Sequence, residues 1–354
     1  MLYPNPHHYE ALLIVSFGGP EGMAEVIPFL ENVLRGRNIP RERMLAVAHH
    51  YELFGGVSPL NAQNRALIAA LETEFAAHGL DLPIYWGNRN WRPLLTETIQ
   101  QMADDGVKKA LAFFTTAYSS YSSCRQYLEN IAEARAAVGP KAPEVHKLRA
   151  FYNHPGFIEP NIERVQEALA KIPANRQAAA QLVFTAHSIP LSMARTGLYE
   201  EQLAEICRLV AAGAGRSDWQ LVYQSRSGPP GQPWLEPDIG AHLSRLKAEG
   251  VEDVVVAPIG FISDHMEVIY DLDTEARALA QEMGLNLIRA GTVGVHPAFI
   301  HLIHELVAER LSDAPQRRAL GRHGPSHDFC PADCCPPPVK PAGGQGGGGA
   351  GEQG

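Results

Sequence analysis

A chain of 354 residues with 45% hydrophobic and 19% charged residues can build two globular domains with sizeable cores. Its 30 Lys and Arg against 39 Asp and Glu leave a net charge of −9, which opposes general attraction to nucleic acid. No apolar run is long enough to span a membrane, Met1 to His8 lack a basic-then-apolar targeting pattern, and five cysteines, an odd count in a long chain, argue against a disulfide framework, so the sequence predicts a cytoplasmic protein.

Ala11 to Ser16 reads as a strand, broken by Gly18-Gly19-Pro20. A helix follows with Val26, Phe29, Leu30 and Val33 on one side. Arg35 and Arg37 flank Gly36, either as a solvated loop or as a clamp for a carboxylate. His49-His50-Tyr51 and Gly55-Gly56-Val57-Ser58-Pro59 read as a loop rich in polar donors. A helix over 61–77 leads to a strand over 82–86, which ends in Gly87-Asn88-Arg89-Asn90. A helix over 94–102, a strand over 108–116 and the hydroxyl run Tyr118-Ser119-Ser120-Tyr121-Ser122-Ser123-Cys124 complete the first half. Strands alternating with helices predict a parallel α/β sheet.

Residues 150–160, with two prolines and a glycine, read as a crossover, after which the pattern restarts. Strands are expected over 181–185, ending in Ala186-His187-Ser188-Ile189-Pro190, over 219–224, ending at Ser225-Arg226, and over 254–257. Glu249-Gly250-Val251 precedes the last of these as Asp105-Gly106-Val107 precedes the strand at 108, a weak repeat that predicts two similar domains. The expected divisions are 1–150, 151–312, a cysteine-bearing segment over 313–335 and a disordered Pro/Gly-rich tail over 336–354. Ligands of such sheets bind beyond the carboxyl ends of the strands, which places the site in the cleft between domains. No phosphate-binding glycine loop and no Gly-x-Ser-x-Gly elbow is present, which weakens nucleotide-dependent and acyl-transfer functions.

His187 directly follows a strand and should face that cleft, where it can accept protons or bind a metal. Pro258 and Gly260 stop the strand of valines, and Ser263 or Asp264 can cap the helix that begins next. Glu267, Asp271 and Glu275 then stand four apart on one helix face, at a rise of roughly 6 Å per step. Such a stripe is either a solvated acidic face or a place that holds a hard cation or moves protons. Trp234, Tyr118 and Tyr121 line a flat apolar ligand or are buried core, and Cys207, in a helix with Leu203 and Leu209, is core. Cys330, Cys334 and Cys335 read as metal ligands or as a redox-active tail.

Taken together, Ser16-Phe17-Gly18-Gly19-Pro20, Gly55-Gly56-Val57-Ser58-Pro59, Thr185-Ala186-His187-Ser188-Ile189-Pro190, Tyr223-Gln224-Ser225-Arg226 and Gly260-Phe261-Ile262-Ser263-Asp264-His265-Met266-Glu267 resemble the motifs of ferrochelatases, in family order over about 10–310. His49-His50-Tyr51-Glu52-Leu53-Phe54 and Tyr85-Trp86-Gly87-Asn88-Arg89-Asn90-Trp91 bring the resemblance nearest to the actinobacterial-type coproporphyrin III ferrochelatases. The resemblance implies two Rossmann-like, chelatase-type domains and insertion of Fe2+ into coproporphyrin III to give coproheme. It makes His187 and Glu267 the paired residues on one face of the macrocycle, with Asp271 and Glu275 continuing a line that guides the metal. Porphyrin contacts fall to Phe17, Arg35, Arg37, His50, Tyr51, Ser58 and Tyr121. Phe17 stands where many bacterial relatives carry Tyr and cannot ligate metal, and His50 replaces a basic residue. The resemblance also implies a [2Fe–2S] cluster on Cys124, Cys330, Cys334 and Cys335, with a zinc site built from the same thiolates as the competing reading. It implies a monomer that meets a coproheme-processing enzyme transiently. The other functions weighed are protoporphyrin IX metallation, insertion of cobalt or nickel, and tetrapyrrole or metal binding without turnover.

Overall fold

A computed structural model of the protein describes residues 6–36, 39–228, 231–331 and 333–337. Arg37 and the tail from 338 onward lie outside these described residues. The first sheet contains β1 (Ala11–Ser16), β2 (Ile84–Asn88), β3 (Lys109–Phe114) and β4 (Glu144–Lys147), in the order β2-β1-β3-β4. The second contains β5 (Gln181–His187), β6 (Trp219–Gln224), β7 (Asp253–Ala257) and β8 (Asn286–Arg289), in the order β6-β5-β7-β8. Every pairing is parallel, and the two orders are the same. The repeat hinted at by the two Gly-Val pairs is therefore a repeat of topology: two Rossmann-like domains of the chelatase type.

Strand alternation sends side chains to both faces of each sheet. Leu12, Ile14, Leu111 and Phe113 from the first sheet share one continuous core with Leu182, Phe184, Val255 and Ala257 from the second. The opposite faces are closed separately. Leu13, Val15 and Ala112 pack under Ile99 and Ile131, while Val183, Val254 and Val256 pack under Leu243 and Leu272. At ~1.5–3 kcal/mol for each large side chain fully buried, this shared layer is the chief force holding the two domains together.

The structure moves several boundaries. The second strand covers 84–88 rather than 82–86, because Pro83 has no N–H to give to the ladder while Gly87 and Asn88 pair with Val15 and Ser16. The strand expected over 181–185 runs on to His187, which pairs with Gln224. His49 to Tyr51, expected in a loop, close the helix Arg41–Glu52, which Pro40 starts and which buries Met44 and Ala48 at a spacing of four. The short strands β4 and β8, with their polar residues, carry too little alternation to be read in advance.

Gly260 sets the distance between the two parts of the site. A Cβ there would lie 2.6 Å from the Cα of Ala186, and its N–H donates to the Thr185 carbonyl at 3.0 Å. The turn after β7 can therefore press against the end of β5, directly before His187. The last helix, Pro297–Arg310, returns to pack on Leu60–Ala77 and Pro155–Leu169. Its Glu309 makes a two-pronged bond with Arg149, at 2.8 Å to each nitrogen, and both side chains are buried. No helix among the described residues is long and apolar enough to cross a membrane.

Candidate active site

Each wall of the cleft is carried by one domain. On the C-terminal wall, His187 ends β5 and donates from Nδ1 to the Ser188 carbonyl at 2.5 Å. A carbonyl only accepts, so Nδ1 carries a proton and Nε2 is the nitrogen turned toward the cleft. That nitrogen lies 3.6 Å from Glu267 Oε2, with side chains 30% and 52% exposed, so water still screens the pair. Burial alone would lower the His187 pKa, but the Glu267 charge, their hydrogen bond and the Ser188 carbonyl raise it overall. Burial alone would raise Glu267, yet His187, and then His265, hold it down to about 2. The pair thus keeps one proton on the imidazole side and an ionised carboxylate beside it.

Asp271 receives the Ser225 hydroxyl and the Gln224 amide, the latter at 3.3 Å. Ser225 reaches it from a left-handed backbone, φ 61°, a conformation that costs a non-glycine residue about 1 kcal/mol or more. Burial pushes Asp271 up to about 7; the Ser225 bond opposes this, while Glu267 and Glu275 add to it. Glu275 continues the line and hydrogen-bonds Tyr270, whose ring stacks on His50 at 3.6 Å and 11° across the cleft. Burial lowers His50, with Glu275 pulling the other way.

The acidic segment differs from expectation in two ways. Its cap is His265, whose Nδ1 accepts from the Val268 N–H at 3.3 Å, because Asp264 is held by Arg289 at 2.9 Å. Ile269–Ala276 is a π-helix rather than an α-helix. Four residues overshoot one α-turn of 3.6, whereas the wider π-turn undershoots; the α-to-π sequence offsets the drift and keeps the three carboxylates in line.

On the N-terminal wall, Phe17 is 38% exposed and packs edge-on against Phe29, which also meets Tyr51 and Trp91. Burial raises the Tyr51 pKa and the Glu267 charge raises it further, so the two groups act on one another across the cleft. Arg35 is exposed just past the helix Met23–Val33. Ser58 is 4% exposed beneath Gly19, its hydroxyl 3.4 Å from the Leu60 N–H. The Tyr121 hydroxyl donates to Glu129 at 2.9 Å. Tyr118 is core, donating to the Ile259 carbonyl at 2.5 Å. The structure thus gathers His187, Glu267, Asp271 and Glu275 on one wall and faces them with Phe17, His50 and Tyr51. Sequence reasoning assigned no role to Gln224, Ser225, Tyr270 or Arg89, whose guanidinium lies 6.0 Å over the Phe17 ring. Gln224, Ser225 and Arg89 stand in motifs and at strand ends, which was the available signal; Tyr270, inside the π-helix, carried none.

A second group of donors lies away from this cleft. Cys124 is buried in the π-helix Tyr121–Arg125 and hydrogen-bonds Cys330. Cys334 Sγ lies 3.7 Å from Cys335 Sγ and 3.8 Å from His327 Nε2. Arg125 ties this tail down through the carbonyls of Cys334, at 2.7 Å, and Pro331, at 3.0 Å. The Cys124 bond, with Lys147 and His327 nearby, lowers the Cys330 thiol, while the same bond and burial raise Cys124. Cys330 and Cys334 lie with His327, a donor the sequence did not suggest, within 4.8 Å of one another, with Cys335 beside Cys334 and Cys124 bonded to Cys330. Cys207 is core, as expected.

Two parallel sheets of the same order, with a line of carboxylates beyond the ends of the second, define a chelatase-type fold. SirB from Bacillus subtilis, solved with Fe3+, shares this fold with a TM-score of 0.53 at 14% identity, over 85% of this chain and 96% of that one. The sequence pattern of the ferrochelatase family matches residues 9–311. A ferrochelatase of Rhodopirellula baltica is 57% identical over 328 residues, covering 92% of this chain and 93% of its own. The coproporphyrin III ferrochelatase of Streptomyces coelicolor is 52% identical over 350 residues, 93% of each chain, and that of Nocardia farcinica is 51% identical over 345, covering 94% and 98%. The chain belongs to the ferrochelatase family, lyases of heme and porphyrin synthesis.

The Asp271 environment has a measurable consequence. A carboxyl whose pKa rises on folding favours the folded state below its unfolded pKa and loses that contribution as pH climbs from about 4 through about 7. Asp271→Asn should therefore be more stable than wild type at pH 8, by ~1–2 kcal/mol after solvent screening, with the gain vanishing near pH 4. Thermal melts at the two pH values check this, and equal melting points at pH 8 would contradict it.

Proposed function

We propose that the protein inserts Fe2+ into coproporphyrin III, releasing two pyrrole protons and forming coproheme. The observation that carries this is the His187–Glu267 pair at 3.6 Å with Asp271 and Glu275 leading to it, in a chain about half identical to coproporphyrin III ferrochelatases. Insertion needs bases for the protons and negative charge for the cation. In its neutral form His187 offers the Nε2 lone pair to a pyrrole proton, and Glu267 stays ionised to draw the divalent ion. Asp271, titrating near 7, exchanges between proton and metal at neutral pH. Phe17 and Trp91, both packed on the buried Phe29, form an aromatic wall against which a flat macrocycle lies. Its carboxylates are met by Arg35, Arg37, His50, Tyr51, Ser58 and Tyr121, and we add Arg89. The product then passes by transient contact to an enzyme that processes coproheme.

Coproporphyrin carries four propionates and protoporphyrin IX two, so cationic wall residues favour the former. Anaerobic Fe2+ insertion should show kcat/KM at least ~10-fold higher for coproporphyrin III, about 1.4 kcal/mol of selective binding. Equal or reversed rates overturn the substrate assignment, and binding without metallation overturns catalysis.

We also infer that Cys124, Cys330, Cys334 and Cys335 hold a [2Fe–2S] cluster. Four soft donors with a lysine and an arginine nearby suit its anionic sulfur ligands. Bound there, the cluster supplies a one-electron centre and fastens the tail to the π-helix. Such thiols need a reducing compartment, which supports the cytoplasm. Protein purified without oxygen should be red-brown, and Cys124→Ser should lose both colour and iron. A colourless protein containing zinc instead would favour a site built with His327.

A further inference from the structure

Away from the catalytic cleft, two helices bring four metal-ligand side chains together. Glu74 lies on Leu60–Ala77 and His78 caps its end; His301 and His304 lie on Pro297–Arg310. Spacings of four and three residues put each pair on one side of its helix, and the packing of the two helices turns those sides toward each other. Glu74 Oε1 is 3.0 Å from His78 Nε2 and 2.7 Å from His301 Nδ1. The His78 and His304 rings stack at 4.4 Å and 22°, and His301 lies 5.5 Å from His304. One donor atom from each of the four residues falls within 4.8 Å of all the others.

We propose that Glu74, His78, His301 and His304 form a site for one borderline divalent transition ion, of which Zn2+ is the type, and that the ion fastens the last helix to the N-terminal domain. Tetrahedral zinc with bonds of 2.0–2.2 Å places its ligand atoms about 3.3–3.5 Å apart, so small side-chain rotations convert the present arrangement into a coordination sphere. Three imidazoles and one carboxylate suit Zn2+, Co2+, Ni2+ or Fe2+, and suit Ca2+ and Mg2+ poorly because these prefer oxygen. His304 is 6% exposed and closes the inner side of the cluster. His78 and His301, each with 41% of the side chain exposed, open the site to solvent. Glu305, itself held by Arg318 at 2.9 Å, lies 4.0 Å from His301 Nε2; it is placed to orient that ring and leave Nδ1 for the ion.

The site is separate from the catalytic cleft. Gln63, on the same helix as Glu74, donates to the Asp264 carbonyl at 2.6 Å. The 11 residues from Gln63 to Glu74 span about 16 Å of helix.

The test counts zinc in the holoprotein. Wild type and a His78→Gln/His301→Gln variant are equilibrated with Zn2+, freed of excess by gel filtration and analysed for bound zinc. The variant should hold one zinc fewer per chain. His187→Ala, measured in parallel, accounts for zinc in the cleft. Zn2+ should also raise the melting point of wild type by several degrees more than that of the variant. His78 is exposed and His301 half-buried, and circular dichroism with an Fe2+-insertion assay confirms an intact fold. Co2+ gives an independent reading: the difference spectrum between wild type and variant should show the visible bands of a tetrahedral nitrogen and oxygen site. Equal zinc content in the two proteins, or a featureless Co2+ difference spectrum, overturns the proposal.

Discussion

Glu267→Gln should lower kcat for iron insertion by ~10²–10⁴-fold while changing porphyrin affinity by less than about 3-fold. The amide keeps the size of the carboxylate but removes the charge that draws the cation and raises the pKa of His187. Without it, burial dominates and the imidazole becomes a weaker base. His187→Ala should fall by a similar factor, because it removes the Nε2 acceptor 3.6 Å from Glu267. The double variant should be little worse than either single one, since residues acting as a unit are not additive. Wild-type activity at low Fe2+ should fall with decreasing pH below about 7, as Asp271 and His187 take up protons. Stopped-flow insertion and fluorescence quenching by bound porphyrin separate the kinetic loss from the binding loss. A Glu267→Gln enzyme within ten-fold of wild type would remove this pair from the reaction.

How far the site was legible depended on how local its causes were. Ala11 to Ser16 and Val254 to Val256 are apolar runs long enough to declare buried strands, and both stand where they were expected. His187 and Glu267 were legible because each follows a strand and belongs to an ordered set of motifs. The π-turn that aligns Asp271 and Glu275 was not, since the spacing of four suits α and π geometry alike. Asp264 was a reasonable cap until Arg289, 25 residues later, claimed its carboxylate. Tyr51 was misplaced because a helix that buries only Met44 and Ala48 has almost no apolar periodicity. Ser225 owes its position to a left-handed backbone, and Arg89 to its approach to Phe17. The imidazole cluster joins residues more than two hundred positions apart, which no periodicity connects.

Arg149→Met should destabilise the protein by ~3–5 kcal/mol, the largest loss expected from one substitution outside the hydrophobic cores. Arg149 and Glu309 are 1% and 4% exposed, and the guanidinium also donates to the Arg318 carbonyl at 2.9 Å. Removing Arg149 leaves the Glu309 carboxylate buried with only Arg317, 3.8 Å away, to offset it. Glu309→Gln should cost a comparable amount, because it leaves the buried guanidinium without its counter-charge. The paired change, Arg149→Met with Glu309→Leu, should recover much of the loss, since an apolar pair of similar volume avoids stranding either charge. The same guanidinium holds the chain as it leaves the last helix toward the cysteine segment. Breaking it should therefore also lower the iron held by the cluster proposed at Cys124, Cys330, Cys334 and Cys335, in proportion to how far the tail detaches. Urea unfolding combined with iron analysis tests both effects. A single variant with wild-type midpoint and full iron content would mean that this buried pair anchors nothing.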